Sequence, residues 1–202
     1  MDFLANHCTF SLLTSDVIKE SKLFDCEHED LNDFFANDCI KYSEELLGKT
    51  YCFRLDQDPA VIVCAFTISN DSIKANFLPN SRKKKVSKPI PREKQFRSYP
   101  AVLIGRLGVS IDFRQKGIGK ELLDFVKSWF VDPANKTGCR FIVVDSYNEE
   151  KPLRYYENNG FQFLFTTEEQ ERNYTGLSPD QSLKTRLMYF DLIHLSISPD
   201  PL

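Results

Sequence analysis

The stretch RLGVSIDFRQKGIGKELLDFV, Arg106–Val126, decides how this chain is read. An apolar run ends at Ser110, and a short basic loop with glycines at 117 and 119 follows. From Gly119 onward Leu122, Leu123, Val126, Trp129 and Phe130 recur at helical spacing, while Glu121, Asp124 and Lys127 fall elsewhere. The pattern predicts a strand, a tight loop and an amphipathic helix. Glycines let the backbone approach a ligand and turn several N–H groups toward it. The helix mouth adds partial positive charge, and Arg114, Lys116 and Lys120 add cationic side chains. These features suit a pyrophosphate. An ordinary strand-to-helix turn with solvated lysines accounts for the same residues without any ligand.

Two familiar phosphate loops are excluded. A Walker A loop needs glycine at 114 and Ser or Thr at 121, where this chain has Arg114 and Glu121. A dinucleotide fingerprint needs a third glycine at 122, which is Leu122.

Outward from that stretch, the 202 residues are 42% apolar and 27% charged, the composition of one ordinary soluble domain rather than a fibre or a disordered chain. No apolar run reaches the roughly 18 residues that suggest a membrane-spanning helix. The start MDFLANHCTF lacks a signal peptide's basic and apolar segments, so a cytoplasmic location is expected. The six cysteines form no C-x-x-C pair and sit mostly among apolar neighbours, as small buried hydrophobes do. Cys26 and His28 have no partner pair at ligand spacing, so no metal site is expected. The net charge of −3 hides an asymmetry: residues 81–97, SRKKKVSKPIPREKQFR, carry +7 and the remainder −10.

Along the chain, 10–14 reads as a strand and EDLNDFFANDCIKYSEELLG as a helix stopped at Gly48. Two β-rich runs joined by DQDPA read as a hairpin. Residues 80–100, interrupted by prolines and without periodicity, read as a basic surface loop. AVLIGRLGVS is a buried strand whose glycines mark a bulge or a close backbone approach. CRFIVVDSY is a strand, PLRYYENNG a short helix, and FQFLFTT and LKTRLMYFDLI are strands separated by a polar connection. This order indicates an α/β mixture around one sheet.

The strand IGRLGVS, the loop RQKGIGKELL and the downstream YYENNGF together resemble the GNAT superfamily of acetyl-CoA-dependent N-acetyltransferases. The resemblance covers roughly residues 100–165. It implies a single GNAT domain over 1–202, an α+β sandwich with a central, mixed, mostly antiparallel sheet flanked by helices. It also implies that Arg114, Gln115, Lys116, Gly117, Ile118, Gly119 and Lys120 line the pyrophosphate of acetyl-CoA. The strand would bulge and splay from its neighbour. Backbone groups of Leu107 and Val109 would then pair with pantetheine, and one freed backbone N–H near Val109 would polarise the thioester carbonyl. An amine would attack the thioester directly, and Tyr156 matches the acid that protonates the departing thiolate. A buried aromatic with a satisfied hydroxyl is the plainer role for Tyr156. Where the family often has a cofactor-contacting Asn, this chain has Glu149; the adjacent Asn148 is assigned in its place, with helix capping as its alternative. Pro152 replaces a frequent Ala. Asp145 is a base candidate or a turn residue.

LFDCEHEDLNDFF, the basic loop and YPAVLIGRLGVS look like the branch of toxins, in toxin–antitoxin modules, that acetylate aminoacyl-tRNA. Glu27 stands where that branch has glycine. That likeness implies an amine acceptor on tRNA, with residues 82–97 touching the RNA backbone, and leaves a homodimer open. A solvated loop accounts for the same charge run. An α-amino group, with a pKa of about 7.7–8, suits an enzyme without an evident base better than a lysine at about 10.4. Two other classes stay open: a non-catalytic acetyl-CoA-binding module, and an RNA-binding protein using the basic loop alone.

Overall fold

The computed structural model describes residues 2–87, 90 and 96–196. In chain order the elements are α1 (Phe3–His7), β1 (Cys8–Leu12), α2 (Ser15–Glu20), α3 (Glu29–Asp33), α4 (Cys39–Glu44), β2 (Lys49–Leu55), β3 (Asp58–Ile73) and α5 (Asn80–Ser87). They continue with β4 (Tyr99–Val109), α6 (Ile118–Val131), β5 (Phe141–Tyr147), α7 (Glu150–Asn158), β6 (Gln162–Phe163), α8 (Glu168–Thr175), β7 (Thr185–Asp191) and α9 (Ile193–Ser196). The strands hydrogen-bond in the order β1-β2-β3-β4-β5-β7-β6. The pairs β1–β2, β2–β3, β5–β7 and β6–β7 are antiparallel. The chain divides into two compact units, Met1–Ser69 with Ile104–Trp129, and Asn70–Leu103 with Phe130–Leu202.

In the first unit, the predicted helix after Glu29 is interrupted by a π-helical turn, Phe34–Asp38, between α3 and α4. The wider turn lets consecutive Phe34 and Phe35 both be buried, beside Leu13, Cys39, Cys52 and Ile62. The hairpin forms as predicted, with Phe53 opposite Cys64 before the register shifts near its turn. A ring cluster from β1, β2 and α6 surrounds Phe10, with Tyr51, Phe53, Phe125 and Trp129 centred 4.8–5.3 Å from it. The sequence pattern leaves Lys127 off the apolar face of α6. In the fold its side chain is 8% exposed, 3.3 Å from Asp124, and burial lowers its pKa.

The stop after α4 is also built differently from the expectation. Leu46 N donates to Ser43 O and Leu47 N to Tyr42 O, with Leu46 itself left-handed at φ 60°. Gly48 serves space instead: a Cβ there would lie 2.8 Å from Ile68 O. Leu46 is 90% exposed, so little packing compensates its backbone. Leu46→Gly is therefore expected to stabilise the fold by about 0.5–1 kcal/mol. A lower urea midpoint for the variant would overturn this.

In the second unit, β5 buries Phe141, Ile142, Val143 and Val144 in succession, as a central strand does. Ile73, Val86, Tyr99, Leu164, Phe165 and Tyr189 share that core. Residues 80–87 form the helix α5, which corrects the reading of 80–100 as loop throughout. Tertiary anchors make it: Val86 is buried, and Arg82 donates to Leu164 O (2.7 Å) and Phe163 O. Lys88, Arg92 and Lys94 of the same predicted loop lie outside the described residues.

All six cysteines are free, and burial raises every thiol, with Cys8, Cys39 and Cys139 pushed up to about 11. No described helix is long and apolar enough to cross a membrane. Among the described residues no group of three His, Cys, Asp or Glu side chains could hold a metal ion.

Candidate functional site

The residues singled out in the sequence divide between the two units. In the first, β4 carries Leu107 and Val109, both half-buried, on either side of Gly108. Gly108 is the close approach its type suggested: a Cβ there would meet Cys26 Sγ at 3.1 Å and Phe24 at 3.2 Å. Gly105 has no such neighbour. Ser110 N then donates to Val63 O (2.9 Å), and a 3-10 turn, Ile111–Phe113, is tied down by Ile111 N donating to Asp25 O (2.9 Å).

Past that turn the backbone twice enters the left-handed region, at Gln115 (φ 59°) and Gly117 (φ 82°). A Cβ at Gly117 would meet nothing within 4 Å, so conformation selects glycine and the space above it is open to a ligand. Lys120 N (3.0 Å) and Glu121 N (3.1 Å) donate to Gly117 O and start α6. The first N–H groups of a helix have no partner within the helix, and the dipole of this 14-residue helix favours an anion there.

The side chains of this loop differ in what they offer. Ile118 is a core residue, so only its backbone can line a ligand. Gln115 is exposed. Lys116 Nζ donates to Asp112 O (2.8 Å) and lies 5.4 Å from the centroid of the Phe113 ring. Lys120 is exposed and paired with Asp124, which raises its pKa. Arg114, read from sequence as a further donor to the anion, is turned inward. Its guanidinium donates to Val109 O (3.4 Å), Cys26 O and the Glu27 carboxylate.

In the second unit, α7 starts after Glu149, whose side chain makes no cap bond. Asn148 is therefore not the cap. Its amide donates to Glu168 Oε1 and Leu183 O, both at 3.1 Å, and its N–H to Lys184 O. Pro152 sits in the first turn, where no N–H is needed. Tyr156 lies in α7 with ring centroids 5.0 Å from Tyr155 and 5.3 Å from Phe161. The residue is half-buried, and desolvation pushes its phenol above the usual range.

Asp145 is exposed in β5 opposite Leu187, beside a cleft of about 560 Å³ that Glu171, Asp180 and Lys184 also line. Sequence reading missed Glu171, on the unforeseen α8. Only 1% exposed, it accepts from Arg186 Nε (2.7 Å) and Leu187 N, yet burial holds its carboxyl above the usual range. The signal for α8 was present as Thr167-x-x-Gln170: the Thr167 hydroxyl accepts from Gln170 N, and Gln170 reaches back to Thr166 N.

The loop and Tyr156 both lie within residues 88–163, which match the family model described as the Acetyltransferase (GNAT) domain. Over those residues the chain is similar to a GNAT acetyltransferase domain. Its fold is the GNAT fold. The toxin AtaT complexed with acetyl-methionyl-tRNAfMet superposes with a TM-score of 0.68 at 19% identity, over 94% of this chain and 98% of that one. A tyrosine-to-phenylalanine variant of KacT gives 0.67 at 18% identity, over 95% and 98%. AtaTR bound with acetyl-CoA gives 0.65 at 16% identity, again over 95% and 98%. No curated protein matches the chain by sequence.

Proposed function

We propose that this GNAT-fold protein is an N-acetyltransferase whose loop 114–120 holds the pyrophosphate of acetyl-CoA through backbone N–H groups. The observation that carries the reading is the left-handed turn at Gln115 and Gly117, opening onto the mouth of α6 inside the matched domain. Gly119 lets the helix mouth come close to the phosphates, and Lys116 and Lys120 supplement its field. Backbone groups of Leu107 and Val109 pair with pantetheine, and the Val109 N–H polarises the thioester carbonyl. Asn148, whose amide nitrogen donates to Glu168 and Leu183 O, is assigned to the cofactor through its amide oxygen.

A neutral primary amine attacks the carbonyl carbon. The C–N bond forms, the C–S bond breaks, the nitrogen sheds a proton to water or to Asp145, and Tyr156 protonates the coenzyme A thiolate. Burial keeps the phenol protonated but also makes it the weaker acid, so its proton moves only as charge builds on sulfur during C–S cleavage.

The acceptor is the α-amino group of an aminoacyl-tRNA. The acetylated tRNA in the AtaT complex supports this. So does α5, where Lys84 and Lys85 are exposed on a helix pinned by Arg82 and Val86. Labelled acetyl-CoA incubated with a cell extract should put label into RNA, removable by hydrolysing the aminoacyl ester. Label confined to protein or small amines would overturn the tRNA reading and leave the acetyltransferase. Replacing Lys84 and Lys85 by alanine should weaken tRNA binding and lower the slope of log K against log salt by about 1–2. An unchanged slope would take α5 out of the interface.

A further inference from the structure

We infer that Arg114 is a positioning residue, a clasp that holds the 110–117 loop to the segment Phe24–Glu27, and that Glu27 is its counterpart. The part of this inference that concerns acetyl-CoA rests on the function proposed above.

The clasp is built from both sides. On the loop side, the Val109–Ser110 peptide is gripped at each end, Arg114 Nε donating to Val109 O and Ser110 N donating to Val63 O. On the other side, Arg114 reaches 88 residues back to Cys26 O and 87 back to the Glu27 carboxylate. The segment it grips is itself fixed. Asn32 Oδ1 accepts from Cys26 N (2.9 Å) and Cys26 Sγ, and Asn32 Nδ2 donates to Asp25 Oδ1 (2.8 Å). Asp25 Oδ1 also accepts from Glu27 N, and Asp25 O accepts from Ile111 N. Glu27 is held left-handed at φ 54°, a conformation disfavoured for a residue with a side chain. That conformation carries its carboxylate to Arg114. A planar fork with several donors suits three acceptors at once, as a lysine ammonium on a flexible stem does not. With its donors turned inward, Arg114 fixes where Gln115 and Gly117 place their backbone N–H groups.

The sign of one substitution separates a clasp from a phosphate-binding arginine. Coenzyme A is an anion, so replacing Glu27 by lysine would tighten its binding if charge alone acted near the loop. A clasp predicts the reverse, because an ammonium in place of the carboxylate would repel Arg114 and release the loop. The experiment measures acetyl-CoA binding by calorimetry and backbone hydrogen exchange of residues 110–117 without ligand, for wild type, Glu27→Lys, Glu27→Gln and Arg114→Lys. We expect Glu27→Lys and Arg114→Lys to weaken binding about tenfold, Glu27→Gln about two- to fivefold given the partial exposure of the pair, and loop exchange to quicken in the same order. Tighter or unchanged binding in Glu27→Lys, or loop exchange identical to wild type in all three, overturns the clasp. A wild type that binds no acetyl-CoA overturns the proposed function instead, and the ligand-free exchange then decides on the clasp alone.

Discussion

Tyr156→Phe is expected to cut acetyl transfer by about 10²–10⁴-fold, the usual contribution of a positioned general acid, while leaving acetyl-CoA binding within about twofold. The substitution removes one hydroxyl and keeps the ring that contacts Tyr155 and Phe161. The backbone it sits on is closed by Phe161 N donating to Tyr156 O at 3.0 Å, which needs no side chain. The loss should therefore fall on kcat and spare KM and the thermal midpoint. A phenol whose pKa is raised stays protonated to higher pH, so the alkaline fall in rate should not begin in the neutral range. Transfer into the acceptor pool, with binding measured separately, checks this. An unchanged rate would remove Tyr156 from the mechanism; lost binding would make it a structural residue.

Glu171→Ala is expected to cost about 3–5 kcal/mol of stability, because removing one member of a buried ion pair strands the other. Arg186, with its side chain 11% exposed, would be left with Glu168 at 4.0 Å and the Phe163 ring, and the Leu187 N–H would lose its acceptor next to the β5–β7 ladder. At about 2–4 °C per kcal/mol for a chain of this size, the thermal midpoint should fall by roughly 6–20 °C. Glu171→Gln, which keeps a carbonyl for Leu187 N, should fall much less. A loss in Glu171→Ala below about 1 kcal/mol would mean that Glu168 and water take over both donors.

The two predicted effects fall on elements of unequal legibility. The hairpin, β4, the loop, α6, β5 and α7 follow from strong local signals: alternating or continuous apolar runs, a helical stripe, and glycines at 117 and 160 that are left-handed in the fold. Helix α5 could not be read that way. It is a run of cations with one buried apolar residue, Val86, and its stability comes from carbonyls at 163 and 164 that Arg82 finds across the chain. Helix α8 was readable from its capping box and from Gly176 at its end, and a polar composition masked it. Within the site, the backbone shape of the loop was legible because glycine has few reasons to stand at a helix mouth. The direction of Arg114 was not. Two of its three partners lie 87 and 88 residues back, and the type of a side chain does not say whether its charge meets a ligand or the protein itself.

The uniformly raised thiols have a practical consequence. At pH 8 a thiol with a pKa of about 11 is only about one part in a thousand thiolate, and disulfide reagents react with the thiolate. Cys26, Cys52 and Cys64 are buried besides, so the folded protein should react slowly with a chromogenic disulfide. Coenzyme A released by acetyl transfer would then be counted against a low background, and a slow rise in colour with neither acceptor nor acetyl-CoA present would report unfolding.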